Sequence, residues 1–349
     1  MNIALITGSS GLVGSEAAFF FHNKKFKIIG IDNNYRKYFF GKNGDTSWKK
    51  RELKRKIPNY THFSKDIRNF NSLKKIFIKF SKKIKVIVHA AAQPSHDWAA
   101  KEPLTDFGIN AVGTLNLLEL CRQYCPKAVF IYVSTNKVYG DSPNFIPLKE
   151  KSCRYEVSSK SIFSKGINES MSIDQSIHSL FGASKTAADL LVQEYGRNFG
   201  LFSGVFRLGC ITGPGHSGAE LHGFLNYLIK ANINNIPYTI YGYKGKQVRD
   251  NIHSYDLVNC FWNFFKNPKK GEVYNIGGGR INSCSIIEII KKIEDLTKIK
   301  MIKKYTKKNR TGDHIWYITS NLKFKRHYPK WKIKFSLDKI LKQTINSFI

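Results

Sequence analysis

The first two thirds of the chain alternate short apolar runs with segments of helical period. Strand-like runs fall at Ile3–Ile6, Lys27–Ile31, Lys85–His89, Ala128–Val133 and Gly204–Phe206. Helical spacing lies between them, near Val13–Phe21, Ser72–Phe80, Ala111–Tyr124 and Ser184–Asn198. Strands separated by helices in this way predict an α/β fold with a doubly wound parallel sheet, whose ligands meet the loops at the strands' C-terminal ends. Beyond about residue 208 the elements shorten: a helix near Glu220–Ala231, strands at Tyr238–Tyr241 and Val273–Ile276, and helices near Asp256–Phe265 and Ser285–Leu296. These read as a smaller α/β lobe over 208–349 beside a larger domain over 1–207, with interleaved segments able to return to the larger sheet. Two stretches, 35–60 and 141–178, show no period and are expected to be long loops, which in compact domains are more often functional than idle.

The first strand runs into Gly8-Ser9-Ser10-Gly11-Leu12-Val13-Gly14 and then a helical segment. Glycines at such a turn bring the main chain close to a pyrophosphate, whose charge is met by a helix N-terminus. The second strand ends at Asp32, 18 residues after Gly14. A carboxylate there accepts hydrogen bonds from a ribose diol and repels a 2′-phosphate, so NAD is expected in preference to NADP. Arg36, close by, works against that preference. Residues 1–207 thus read as a Rossmann-type dinucleotide domain.

Composition removes several alternatives. The chain has 349 residues, 42% of them hydrophobic, with 57 Lys plus Arg against 25 Asp plus Glu and a formal charge of +32. That is globular composition, long enough for two lobes and a core that needs no disulfide or metal. Of the basic residues 45 are Lys and only 12 Arg, with no recognition module and no Arg stripe interleaved with aromatics, so nucleic acid is not expected as a partner. The excess, including 49–56 and 298–308, reads as solvated surface whose field steers an anionic small substrate. Six cysteines without a CxxC pair suit reduced thiols in a cytoplasmic protein. The N-terminal apolar run is too short for a signal peptide, and none approaches the roughly 18 residues of a membrane span. His216, His222 and His253 match no zinc spacing, and no metal is expected.

The GxxGxxG spacing resembles the extended, nucleotide-sugar-modifying branch of the short-chain dehydrogenase/reductases, the NAD-dependent epimerase/dehydratase family. Further matches run the length of the chain: Asp66-Ile67-Arg68, His89-Ala90-Ala91-Ala92-Gln93, Asn110-Ala111-Val112-Gly113-Thr114, Ser134-Thr135-Asn136-Lys137-Val138-Tyr139-Gly140, Arg207 to Gly213-Pro214, Arg249-Asp250 and Tyr274-Asn275-Ile276-Gly277-Gly278. The resemblance implies cofactor contacts from Gly8, Ser10, Gly11, Leu12, Val13, Gly14, Asp32, Asn33, Arg36, Asp66, Ile67, Ala90, Ala91, Gln93, Asn110 and Lys185. It implies a nucleotide-sugar substrate held by Thr135, Asn136, Lys137, Arg249 and Arg310, the two arginines on its pyrophosphate, and a homodimer. Within the family, 134–141, Asn116-Leu117-Leu118-Glu119 and Gly245-Lys246-Gln247-Val248-Arg249-Asp250 most resemble the 2-epimerases of CDP-paratose and CDP-tyvelose. Those enzymes use tightly held NAD⁺ to take a hydride from C2 of the sugar and return it to the other face.

Two departures stand out. Dehydratases of the branch carry Asp-Glu after the Thr of the fifth-strand loop; here the pair is Asn136-Lys137, which supplies no carboxylate and argues against elimination of water. The family's YxxxK motif reads Phe181-Gly182-Ala183-Ser184-Lys185. In the family the Tyr oxygen removes the hydroxyl proton, a contribution of about 10²–10⁴-fold, and Phe181 has no oxygen. His178 and His96 are the leading substitutes, since imidazole exchanges protons near neutrality, and Thr135 is placed to hydrogen-bond the reacting hydroxyl. A catalytically silent protein that binds NAD or a nucleotide sugar is the competing reading, and a net oxidoreductase or synthase on the same scaffold is a third.

Overall fold

The computed structural model describes residues 1–215, 223–310 and 312–348. The chain divides into two compact units and passes between them repeatedly. The first comprises Met1–Val138, Leu180–Arg207 and Val258–Tyr274, and the second Tyr139–Ser179, Leu208–Leu257 and Asn275–Ile349.

The first unit is built on β1 (Ile3–Thr7), β2 (Lys27–Ile31), β3 (Thr61–Phe63), β4 (Ile84–His89) and β5 (Val129–Thr135). With Ser203–Leu208 and Glu272–Ile276 they form a seven-stranded sheet in which β1 lies between β2 and β4, β3 is one edge and Glu272–Ile276 the other. The pairings from β3 through β5 are parallel. All five residues of β1 and all six of Ser203–Leu208 are buried, as expected of strands covered on both faces. The order reverses at β1, and a crevice outside the C-terminal ends of β1 and β4 is where such sheets bind ligands.

The expected strands and helices of this unit are present: Lys27–Ile31 matches residue for residue, Val129–Thr135 and Gly113–Tyr124 begin one and two residues later than expected, and the others extend by one to five residues at one or both ends. Two expectations need correction. Val273–Ile276 belongs to the large sheet as its edge strand, not to the smaller lobe. The stretch 35–60 is not a loop: it holds Arg36–Phe40, a 3₁₀ turn at Gly41–Gly44 and the helix Ser47–Lys56. Only Lys49 and Leu53 of that last helix are buried, too few to set up a visible period. Its start is fixed by Asp45, which accepts from the Ser47 N–H at 2.8 Å. Lys49, expected on solvated surface, is 8% exposed, with its ammonium on Glu52 and over the Trp48 ring.

In the second unit Val248–His253 pairs with Ser283–Ser285 (antiparallel) and with Trp316–Tyr317 and Cys210–Thr212 (parallel). Its apolar core joins the helices Phe224–Ile233, Ile286–Thr297 and Leu337–Asn346. Ser285 and Glu288 close a reciprocal capping box at the start of Ile286–Thr297. The helix expected near 220–231 is seen as Phe224–Ile233, and its expected first residues, with His216 and His222, lie outside the described residues. Residues 141–178 remain largely irregular around a hairpin of Leu148–Glu150 and Tyr155–Val157. All six cysteines are free. Among the described residues no helix is long and apolar enough to cross a membrane, and no group of three or more His, Cys, Asp or Glu is placed to hold a metal ion.

Candidate active site

The turn after β1 shows why its glycines are required. Gly8 has φ +65°, and a Cβ there would lie 2.7 Å from the Ala91 nitrogen. At Gly14 a Cβ would lie 2.1 Å from the Gly8 carbonyl oxygen, so helix Leu12–Asn23 (α1) approaches the strand only without a side chain at this point. At Gly11 the added atom meets nothing nearer than that oxygen, at 3.3 Å; this face of the turn is open for another group's approach. Gly11 is also the N-cap of α1, with no capping side chain and no acidic residue in the first turn. The main-chain N–H groups there, including those of Leu12 and Val13, are a ready anion site.

Asp32 sits half-buried at the end of β2. Its carboxylate accepts from the Ser10 N–H at 2.9 Å and the Asn34 N–H at 2.7 Å. Asn33 donates to Asp66 at 3.3 Å. Burial alone would raise the Asp66 carboxyl, but the bonds from Arg68 outweigh it and hold the group below its ordinary value; Ile67 beside it is 6% exposed. The Arg36 guanidinium lies over the Phe40 ring at 4.8 Å, and burial lowers it to about 10, so it is charged at neutral pH. These groups fit a dinucleotide.

The C-terminal ends of β4 and β5 carry a buried polar network. His89 bonds Thr7 at 2.7 Å and Thr114 at 2.9 Å, and burial pushes it down to about 3; it is a neutral structural imidazole. Ala90 and Ala91 follow, the Ala91 N–H donating to the Thr7 hydroxyl. Gln93 donates to Asp106 at 2.7 Å, and its own N–H meets the Asn110 side-chain oxygen at 3.0 Å. Asn110 stands in a π turn, Gly108–Val112, a helix irregularity common at functional sites. Its amide donates to Asp106 and to the Ser184 hydroxyl, each at 3.0 Å. Ser184 in turn donates to the Phe181 carbonyl at 3.0 Å.

Helix Ser179–Phe199 carries Phe181, Ser184, Lys185 and Asp189 among its buried residues. Lys185 donates to the Val133 carbonyl at 2.9 Å and lies 4.3 Å from the Tyr132 ring centroid. Burial lowers its pKa to about 7, against the attraction of Asp189 and Asp106. One turn on, Asp189 receives both arms of Arg207 at 2.9 Å and the Ser134 hydroxyl at 2.8 Å. Thr135, next to Ser134, is half-buried; the Lys137 N–H donates to its hydroxyl oxygen at 3.3 Å, and Asn136 is 7% exposed. Phe181 is 7% exposed, and the His96 ring packs edge-on against it, centroids 5.0 Å apart at 68°.

In the second unit Arg249 is 9% exposed; it donates to the Val248 carbonyl at 2.7 Å and pairs with Asp313. Arg310 lies over the Tyr241 ring at 5.6 Å, and its carbonyl accepts from the Asp313 N–H at 3.2 Å. Asp313 thus meets the Arg249 side chain and the Arg310 main chain, and bidentate guanidinium suits phosphate. His178 Nδ1 lies 2.9 Å from the Ser176 carbonyl oxygen.

The model of the NAD dependent epimerase/dehydratase family matches residues 4–277. The chain belongs to that family. It is 36% identical to a CDP-paratose 2-epimerase of Salmonella typhi over 305 residues, 85% of each chain. It is 27% identical to a UDP-glucuronate 4-epimerase of Thermodesulfobacterium geofontis over 351 residues, 99% of this chain and 96% of the relative. A UDP-glucuronic acid 4-epimerase of Bacillus cereus, solved with UDP-glucuronic acid and NAD, shares the fold with a TM-score of 0.79 at 23% identity, covering 99% and 98% of the two chains.

As a member of this NAD-dependent family the chain carries a sheet and a turn of the expected kind. Of the expected site residues, Gln93, His96, Asn110, Thr135, Phe181 and Lys185 all lie in the first unit, joined in part by the Asp106–Ser184 network; Arg249, Arg310 and His178 lie in the second. Sequence reading missed Asp106, Ser184 and Asp189, and gave Arg207 no role. Asp189 was detectable as a carboxylate four residues after Lys185, one turn along the same helix face. Asp106 had no such signal, because only folding brings it against Gln93.

Proposed function

We propose that the protein is an NAD-dependent nucleotide-sugar epimerase that inverts C2 of a CDP-deoxyhexose. The observation that carries this reading is the pairing of a dinucleotide turn with Asn136-Lys137, rather than two carboxylates, after Thr135. The 36% identity to a CDP-paratose 2-epimerase supports it. Bound NAD would supply a reversible acceptor for the hydrogen at C2. The turn from Gly8 to Gly14 and α1 would hold its pyrophosphate, Asp32 its adenosine ribose, and Lys185, Asn110 and Gln93 the nicotinamide end. Thr135 would donate to the reacting hydroxyl, Asn136 and Lys137 would line the sugar, and Arg249 and Arg310 would bind the substrate's pyrophosphate. The family's usual homodimer is part of the same reading.

The test is incubation with CDP-, UDP- and dTDP-hexoses followed by NMR of the products. Interconversion of C2 epimers of a CDP-deoxyhexose, without accumulation of NADH, is expected. Loss of water or inversion at C4 instead would overturn the assignment. Phe181 favours a second reading, a binding protein without turnover. Activity that exists only after Phe181→Tyr would support that reading.

A further inference from the structure

Oxidation of a secondary alcohol removes a proton from oxygen as well as hydrogen from carbon, and the Phe181 ring presents no acceptor for it. Of the other groups around the Lys185 helix, Lys185 is 3% exposed and turned to a main-chain carbonyl. His89 is enclosed between two threonines. Asp106 is 1% exposed and its Oδ1 accepts from Gln93 and Asn110, and both oxygens of Asp189 accept from Arg207. Thr135 is an alcohol, which relays a proton but does not retain one near neutrality. His96 differs from all of these: it is half-buried, and its ring lies against the Phe181 ring itself.

The two rings are also tied to one scaffold. His96 is the first residue of helix His96–Lys101, whose N-cap Ser95 accepts from the Trp98 N–H. The Gln93 amide that bonds Asp106 also donates to the Ser95 carbonyl at 2.7 Å. Asp106 reaches the Phe181 carbonyl through Asn110 and Ser184. A group within a preorganised network keeps its geometry through the reaction. Trp98 adds a bond from its indole N–H to the Phe39 carbonyl at 2.5 Å, which anchors the same short helix from the other side.

We propose that the His96 imidazole is the catalytic base that replaces the absent hydroxyl at position 181. The inference rests on the epimerase reading above. In the oxidising half-reaction the C2–H bond would break, and bound NAD⁺ would accept the hydrogen with both electrons. The hydroxyl O–H bond breaks, its proton passes to a nitrogen of neutral His96, and C2=O forms. In the return half-reaction hydrogen and electron pair come back to the other face of C2, and the imidazolium returns its proton to oxygen. Nothing is consumed.

His96→Gln is expected to lower kcat by about 10²–10⁴-fold, with the KM and the melting temperature unchanged, and to abolish the transient reduced-nicotinamide absorbance after mixing with substrate. Free imidazole should restore turnover to His96→Ala, a response that a merely structural role does not give. In the wild type, diethyl pyrocarbonate should acylate His96 and bound nucleotide sugar should protect it, as mapped by peptide mass. A His96→Gln enzyme within about threefold of wild type, or acylation of His96 without loss of activity, overturns the proposal while leaving the epimerase reading intact. A wild type inactive on every nucleotide sugar, with activity created by Phe181→Tyr, overturns both.

Discussion

The glycine turn after β1 and the buried polar network beyond β4 and β5 lie at the ends of neighbouring strands of one sheet, yet they are built by opposite means. At the turn the work is done by main chain: Gly8 and Gly14 are needed because an added atom would strike backbone at 2.7 and 2.1 Å, and Asp32 is set by the Ser10 and Asn34 N–H groups. In the network the work is done by side chains from distant segments, each paired with another: Gln93 with Asp106, Asn110 with Ser184, Asp189 with Arg207 and Ser134. A turn of the first kind tolerates no added atom at Gly8 or Gly14, where backbone packs on backbone. A network of the second kind tolerates no removed partner, since the group left behind is buried and unsatisfied.

The largest effect should follow from breaking a pair in the network. Asp189→Asn leaves the Arg207 guanidinium without its full counter-charge at a site where the two side chains are 6% and 0% exposed, and is expected to cost about 3–5 kcal/mol in urea unfolding. Replacing both partners with apolar residues of similar volume should recover most of that loss, which separates a broken pair from a missing one. At the turn, Gly14→Ala should cost about 1–3 kcal/mol by overpacking, with NAD retention falling alongside. Gly11→Ala, whose new atom meets only one oxygen at 3.3 Å, should keep the melting temperature and lose NAD affinity. If both alanine variants lose stability equally, the division between a packing glycine and a ligand-facing one is wrong. Asp32→Ala should weaken NAD roughly 10- to 100-fold by calorimetry, the equivalent of hydrogen bonds to a charged group.

The effect at Lys185 is read as a slope with pH. Its folded pKa of about 7 lies below the ordinary 10.5. The unfolded chain therefore holds the extra proton between these values, and stability rises with pH across that window. Lys185→Met should flatten this rise. An unchanged slope from pH 7 to 10 in thermal melts would show that the burial of Lys185 does not depress it.

The contrast also explains what the sequence made legible. Main-chain sites leave a spacing signature, so Gly8, Gly11, Gly14 and Asp32 were readable as a set, and the buried strands β1 and β2, the latter buried after Lys27, were readable as apolar runs. Helix Ser47–Lys56 was not, because its buried face is only Lys49 and Leu53, and β3 is three residues long. Side-chain networks leave no spacing. Lys185, Asn110 and Thr135 were found one at a time through motifs, whereas Asp106 and Ser184 meet Asn110 only through contacts spanning 4 and 74 residues of chain. The absence of oxygen at Phe181 was plain in the sequence. That the His96 ring packs on Phe181 emerged only from the fold.

The most direct test of the central claim is the fate of the C2 hydrogen. A CDP-deoxyhexose deuterated at C2 is converted in ordinary water, and the product examined by NMR and mass. The account predicts that deuterium stays on C2 of the inverted sugar, because the hydrogen taken is the one returned. Replacement of that deuterium by solvent hydrogen would contradict it and place the chemistry at a carbanion instead of at a transient ketone.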